Sequence, residues 1–343
     1  MLLAGDIGGT NVRLDFYNDD GCAPIDHPAR GNEGDLRLPM TYRKCPIIDA
    51  VGRFAKDFAS EVEGVDRACF GIAGKITNEP NGTAHVAMTN RPHEDVTNRQ
   101  IGAALGANVW LVNDMAAHIA SVGVAPCTLI HAGRNNPSGV RAILMPGTGC
   151  GVGFAIQHAS GFRPSPSEGG HFEFPPRNAE QSKIVDGLRK LLPAERGTTR
   201  VTYESVLSGP GLENLYACLA DPSSTRLVAG VDGQAITCAA AGQESVADPD
   251  LARRAVELFV EVLAQYASNL GLLLLPTAGL WLGGNIIDAI RSPDSQAFDD
   301  RFVRTYLDAG GRTQRGILEQ VPIRLLDPVD TGLLGAAQIA AGM

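Results

Sequence analysis

Apolar and polar positions at the start of the chain predict two short strands joined by a glycine-rich turn. Residues 2–4 form an apolar run entering Gly5-Asp6-Ile7-Gly8-Gly9-Thr10-Asn11, after which Val12, Leu14 and Phe16 alternate with polar neighbours. The plan recurs far downstream. Residues 142–145 are apolar, Gly147-Thr148-Gly149-Cys150-Gly151 supplies the turn, and residues 152–156 return. Two halves that each open on such a hairpin suggest duplicated domains.

Between the two hairpins, Ile47, Ile48, Val51, Phe54, Ala55 and Phe58 follow helical spacing, while residues 68–73 and 109–112 read as buried strands. The second half offers a long helix over 251–273, a strand at 280–282 that breaks at Gly283-Gly284-Asn285, and a last helix over 331–341. Strand and helix alternate, so the class is α/β. Residues 18–40 and 159–178 read as irregular, and the second stretch, with Glu168 and His171, is the better place for function.

Composition narrows the choice. The 343 residues are 44% apolar and 20% charged, enough for two cores of roughly 150 residues each. A net charge of -9 and no Lys/Arg cluster argue against nucleic acid and for a small-molecule partner. The seven cysteines have neither zinc nor disulfide-framework spacing, which suggests reduced thiols and a cytoplasmic setting. The N-terminus carries no leader-like pattern, and no apolar run reaches the roughly 18 residues a membrane span needs.

The chemistry concentrates in the glycine turns. Gly8 and Gly9 would let backbone amides approach an anion, Thr10 adds a hydroxyl, and Asp6 sets a carboxylate where hydrated magnesium could be held. Taken alone, Gly8-Gly9 reads first as a plain β-hairpin turn using glycine for positive φ; the flanking Asp6 and Thr10-Asn11 shift it toward a phosphate site. Gly147-Thr148-Gly149-Cys150-Gly151 lacks the Lys-Ser/Thr of a P-loop, and Val152 stands where a dinucleotide fingerprint has its sixth residue. Paired hairpins of this kind are what an actin-like nucleotide clamp requires. Gly283-Gly284-Asn285 would let an adenosine ring lie against backbone, or is a strand-to-helix turn capped by Asn285.

Asn113-Asp114 follows an apolar strand, so Asp114 would stand at a strand's carboxyl end, where α/β proteins bind ligands. It is the candidate general base, since a sugar hydroxyl needs an acceptor for its proton as a phosphoryl group transfers; the alternative is an N-cap. Glu168, His171 and Glu204 could read vicinal hydroxyls, or be a solvated histidine and a carboxylate paired with an arginine.

Nearly end to end, the chain resembles the bacterial-type glucokinases of the hexokinase–actin superfamily. The carriers are the residues from Gly5 to Asn11, Val86-Ala87-Met88-Thr89-Asn90, Val112-Asn113-Asp114, Gly147-Thr148-Gly149, Glu168-Gly169-Gly170-His171, Ser205-Val206-Leu207-Ser208-Gly209-Pro210-Gly211-Leu212, Gly283-Gly284-Asn285 and Gly332-Leu333-Leu334-Gly335. The resemblance implies an actin-like ATPase, or ribonuclease H-like, fold with two α/β domains around a nucleotide and sugar cleft. It implies a small domain of residues 1–112 plus 331–343, a large domain of 113–330, and closure on sugar.

The activity it implies is phosphorylation of the glucose 6-hydroxyl by ATP with Mg2+. Asp114 would be the base, and Asn90, Asn113, Asp114, Glu168, His171 and Glu204 would hold the sugar. Gly5, Asp6, Ile7, Gly8, Gly9, Thr10, Asn11, Gly147, Thr148, Gly149, Gly283, Gly284 and Asn285 would contact the nucleotide, Asp6 meeting magnesium through water. Members look like homodimers. The chain departs from the common pattern at Lys75, where many members carry proline, and at Met115, where an aromatic is frequent. The sister repressor and sugar-kinase group typically carries a zinc cysteine cluster, absent here. The rivals are a kinase for another hexose and a non-catalytic sugar sensor on the same fold; a substrate panel separates them.

Overall fold

A computed structural model describes the chain apart from residues 31–36, 89, 90, 92, 93, 135, 160, 244, 245, 309 and 310. The first stretch gives β1 (Leu2–Ile7), β2 (Asn11–Tyr17), β3 (Met40–Arg43), α1 (Ile47–Asp57), α2 (Ala59–Val62), β4 (Arg67–Ile72), β5 (Gly74–Asn78), β6 (Ala84–Met88), β7 (Asp95–Thr97), α3 (Asn98–Leu105), β8 (Asn108–Asn113) and α4 (Asp114–Ser121). Then follow β9 (Cys127–His131), β10 (Arg141–Pro146), β11 (Cys150–His158), β12 (Gly161–Ser167), α5 (Ala179–Arg196), α6 (Gly209–Ala220), α7 (Gly233–Ala240) and α8 (Pro249–Leu274). The chain closes with β13 (Gly279–Leu282), α9 (Asn285–Arg291), α10 (Ser295–Leu307), α11 (Arg312–Leu318), β14 (Ile323–Leu326) and α12 (Thr331–Ala341).

Contacts divide the chain into two compact units: Met1–Pro126 with Gly153–Pro166 and Val329–Met343, and Cys127–Val152 with Ser167–Pro328. The sequence expectation cut the chain at 112. The contact boundary falls later because α4 packs against α12 and β4 within the first unit.

The first unit holds the five-stranded sheet β3-β2-β1-β4-β8 and the small sheet β5-β6-β7. β1 pairs antiparallel with β2 and parallel with β4, and β4 parallel with β8. Register sets Ile7 beside Ile72 and Ile72 beside Asn113, so Asp6 and Asn113 come to the carboxyl end of the parallel strands. Leu3, Ile7, Phe16, Phe54 and Phe70 are fully buried in this unit's core. The central strands β1 and β4 bury both faces, hence their continuous apolar runs in the sequence.

The other large sheet runs β12-β11-β10-β13-β14-β9, with β13 parallel to both β10 and β14. The second unit's core gathers Leu144, Leu188, Leu212, Phe259, Leu263, Leu282 and Phe302 around the 26-residue helix α8. Part of the stretch expected to be irregular is strand: Gly161–Ser167 forms β12. Pro164 and Pro166 mask it in the sequence, and an edge strand tolerates them because a missing N–H can face away from the ladder.

The last helix, α12, is built for close approach. A Cβ on Gly332 would lie 2.8 Å from the Asp6 carboxyl carbon, and one on Gly335 would run into the Ala117 carbonyl. Small residues therefore let α12 lie against both α4 and β1. All seven cysteines are free, and no helix among the described residues is long and apolar enough to cross a membrane.

Candidate active site

In the first unit the turn after β1 closes with the Gly8 N–H donating to the Asn11 carbonyl at 3.0 Å. Neither Gly8 nor Gly9 has positive φ, so left-handed backbone is not what glycine supplies here. A Cβ on Gly8 would meet nothing within 4 Å, which leaves its backbone open to an approaching group. Thr10 is exposed, Gly9 and Asn11 are half-buried, and Gly5 and Ile7 lie inside β1, where Gly5 faces the Phe70 ring. The turn thus offers backbone and the Thr10 side chain, while Gly5 and Ile7 serve packing.

Asp6 is 6% exposed and pairs with Arg13 of β2, whose other terminal nitrogen reaches the Asp330 carboxylate at 2.8 Å. Asp330 also caps α12, accepting from the Leu333 N–H at 3.2 Å. Arg13 therefore ties the turn to the C-terminal helix. Burial pushes the Asp330 carboxyl up, against the pull of Arg13. Among the described residues no group of three or more His, Cys, Asp or Glu could hold a metal alone. One carboxylate beside a polyphosphate is an ordinary magnesium donor set, and the Asp6 carboxylate, already partnered by Arg13, fits that role through water.

Asp114 begins α4 directly after β8. Asn113 is the cap: its Oδ1 accepts from the Met115 N–H at 3.0 Å and its amide donates weakly to the Gly74 carbonyl at 3.4 Å. The Asp114 Oδ1 accepts from the same Met115 N–H at 2.9 Å. Burial raises the Asp114 carboxyl; His118, one turn further along α4, and the Met115 N–H lower it, and Asp6 raises it. The His118 ring nitrogen Nδ1 is 2.8 Å from the Thr331 hydroxyl, a second tie between α4 and α12. On its other side α4 lies close to β4, which Gly71 permits because a Cβ there would lie 2.8 Å from that of Ala117. Asn90 lies outside the described residues.

In the second unit Gly147 donates its N–H to the Gly149 carbonyl at 2.7 Å, and its own carbonyl accepts from Gly209 at the start of α6 at 2.8 Å. Neither Gly147 nor Gly149 has positive φ, and a Cβ on Gly147 would again meet nothing within 4 Å. Thr148 is exposed. The Glu204 Oε2 accepts from the Cys150 N–H at 3.0 Å, and the other carboxylate oxygen stands 3.8 Å from His171 Nδ1. His171 Nε2 is 3.8 Å from Glu168, whose side chain is 83% exposed. Glu168, His171 and Glu204 therefore converge, and Glu204 is anchored by a backbone amide rather than by an arginine.

Gly283 and Gly284 end β13 beside β10. Gly284 has φ +111°, and a Cβ there would collide with the Pro146 carbonyl, so this site requires glycine for both reasons. Asn285 is the first residue of α9 rather than its cap, which is Gly284, and it is exposed. The start of α6 meets Gly147, and Gly233 at the start of α7 packs on Gly209, so glycines from four segments border one region of backbone. Sequence reading did not assign roles to Arg13, Arg91, His118, Asp330 or Gly233. Arg13 and Asp330 carried the one available signal, a charge at the edge of a glycine-rich motif.

Solved structures give the fold. The crystal structure of glucokinase from an Antarctic psychrotroph matches with a TM-score of 0.74 and 24% identity, covering 100% of this chain and 99% of that one. A ROK family glucokinase from Streptomyces griseus, solved with glucose and AMPPNP, matches with a TM-score of 0.59 and 19% identity over 99% of this chain and 98% of its own. Both have the actin-like ATPase fold, and so does this chain, which makes it an α/β protein of the class that includes the sugar kinases. The glucokinase family model matches residues 3–343, and the chain belongs to that family. The glucokinase of Nostoc sp. (strain PCC 7120 / SAG 25.82 / UTEX 2576) is 28% identical over 359 residues, covering 99% of each protein.

Proposed function

We propose that this kinase transfers the γ-phosphoryl group of ATP to the 6-hydroxyl of glucose, giving glucose 6-phosphate and ADP. The observation that carries the reading is the Glu204–Cys150 bond. It fixes a carboxylate suited to sugar hydroxyls onto the strand that leaves the Gly147 turn, so hydroxyl-reading and phosphate-type groups share one anchor. Glu168 and His171 complete the hydroxyl-reading set beside it.

In this mechanism Asp114 accepts the proton of the attacking hydroxyl as the phosphoryl group passes. A carboxylate raised by burial is a stronger acceptor than an ordinary one while it stays ionised. Asn113 holds the start of α4, the helix that presents that base. Backbone N–H groups at Gly8 to Thr10 and Gly147 to Gly149 take phosphate oxygens, and the segment at Gly283 to Asn285 lies against the adenosine. Magnesium held near Asp6 would neutralise charge on the phosphates. Asn90 joins the sugar contacts, and the chain works as a homodimer, as the family resemblance implies.

The direct test is ADP release from MgATP with and without glucose, beside a panel of other hexoses. Strong dependence on glucose is expected. Stimulation by a different hexose alone would replace the substrate, and no stimulation by any sugar would favour the sensor.

Gly149→Ala tests the shared anchor. Its Cβ would lie 2.6 Å from the Glu204 Oε2, so the carboxylate must leave the Cys150 N–H. The KM for glucose should rise about tenfold, the equivalent of one charge-assisted hydrogen bond. An unchanged KM for glucose would separate Glu204 from sugar binding.

A further inference from the structure

Arg91 is a buried cation that the mechanism above leaves unused. It is 9% exposed, and its Nε donates to the Gly9 carbonyl at 3.0 Å, inside the turn that follows β1. Its Nη1 donates to the Cys45 carbonyl at 2.8 Å, just before α1, and reaches both Glu94 carboxylate oxygens at 3.3 Å. Glu94 in turn accepts from the Ile47 N–H at 3.1 Å, at the first residue of α1. One guanidinium therefore joins the glycine turn, the entry to α1 and its own segment.

Its Nη2 is sealed from water and has no hydrogen-bond acceptor among the described residues. Burying an unpaired donor is unfavourable, and a methionine would fill similar volume without that cost. Space filling alone therefore does not account for an arginine here. What arginine adds is a rigid planar fork whose separate nitrogens hold two backbone carbonyls in fixed directions, whereas lysine offers its three donors from one flexible ammonium that does not fix them. Fixing the Gly9 carbonyl fixes the peptide plane that carries the next amide, that of Thr10. The orientation of that amide decides whether the turn presents N–H groups or carbonyls to an anion.

We propose that Arg91 is a positioning residue for the nucleotide phosphates: it holds the Gly9 carbonyl so that the turn's amides face the phosphate oxygens. The inference rests on the proposed role of the Gly8–Thr10 backbone. It predicts a selective effect on nucleotide binding, with the sugar site left intact.

The experiment compares wild type with Arg91→Lys and Arg91→Met. ADP binding is titrated by calorimetry, which needs neither sugar nor turnover, and KM values for MgATP and glucose are measured alongside. Both variants should weaken ADP binding and raise the KM for MgATP by about tenfold, with the KM for glucose changed by less than about twofold. Lysine, which keeps the charge, should not rescue the loss. ADP affinity within about twofold of wild type in Arg91→Lys would overturn the inference, as would equal rises in both KM values with a lowered thermal midpoint. If Arg91→Met fails to fold, Arg91→Lys decides the matter. A wild type that binds ADP but shows no sugar-dependent turnover would defeat the kinase reading while the ADP titrations still judge Arg91.

Discussion

Asp114→Asn is expected to lower kcat by about 10² to 10⁴, the usual contribution of a positioned general base. On the transition-state scale that is about 3 to 5 kcal/mol. The replacement is nearly isosteric, and its amide oxygen can still accept from the Met115 N–H as Asp114 does at 2.9 Å. The start of α4 should therefore survive, with glucose affinity retained in a calorimetric titration. What asparagine cannot do is take a proton. A variant with near-normal turnover would remove Asp114 from the role of base.

The pH profile supplies an independent arm of the same prediction. The active form is the carboxylate, so activity falls as pH drops through the folded-state pKa. Burial raises that pKa, so the acid limb should lie above the roughly 3.9 of an ordinary aspartate. His118 acts in the opposite sense, and Asp6 adds to the rise. The limb should vanish from the residual activity of Asp114→Asn.

Gly335→Ala is expected to cause the largest loss of stability among single methyl additions to α12. Alanine favours a helix interior over glycine by about 1 kcal/mol, which alone would stabilise the protein. Here the added Cβ would run into the Ala117 carbonyl and lie 3.2 Å from the Ser121 N–H, both backbone atoms of α4. Backbone cannot rotate out of the way, so the two helices must separate and lose packing around Ala117 and Ala336, both fully buried. Overpacking of this kind costs about 1 to 3 kcal/mol, and a rigid obstacle argues for the upper end, leaving a net loss of about 2 kcal/mol. The denaturant midpoint should fall, and turnover with it, because α4 carries Asp114. Gly8→Ala is the control for the denaturant midpoint alone, since nothing lies within 4 Å of its added Cβ. An unchanged midpoint for Gly335→Ala would mean that α4 and α12 separate at no cost.

What could be read along the chain was what neighbouring residues encode. Strand alternation around the Gly8 and Gly147 turns, the helical spacing of Ile47, Val51 and Phe54, and the apolar run of β8 before Asn113-Asp114 all depend on contacts within a few positions, and each element formed where the pattern put it. β12 was illegible for a local reason, because Pro164 and Pro166 oppose a strand until an edge position makes them harmless. The cap assignment also moved: glycine at 284 rather than Asn285 precedes α9, because the Pro146 carbonyl leaves no room for a side chain.

The partnerships around the candidate site came from folding alone. His118 meets Thr331 across 213 positions, Arg91 meets Gly9 across 82, and Glu204 meets Cys150 across 54. No periodic signal spans such distances, since helix and strand periods report only on neighbours a turn or two away. Composition and pattern establish an α/β chain with two glycine-turn halves, because those features are local and repeated. The buried Arg91 at the first turn, the raised Asp114 carboxyl and the close crossing of α12 over α4 depend on which surfaces come together, and only the three-dimensional packing brings them about.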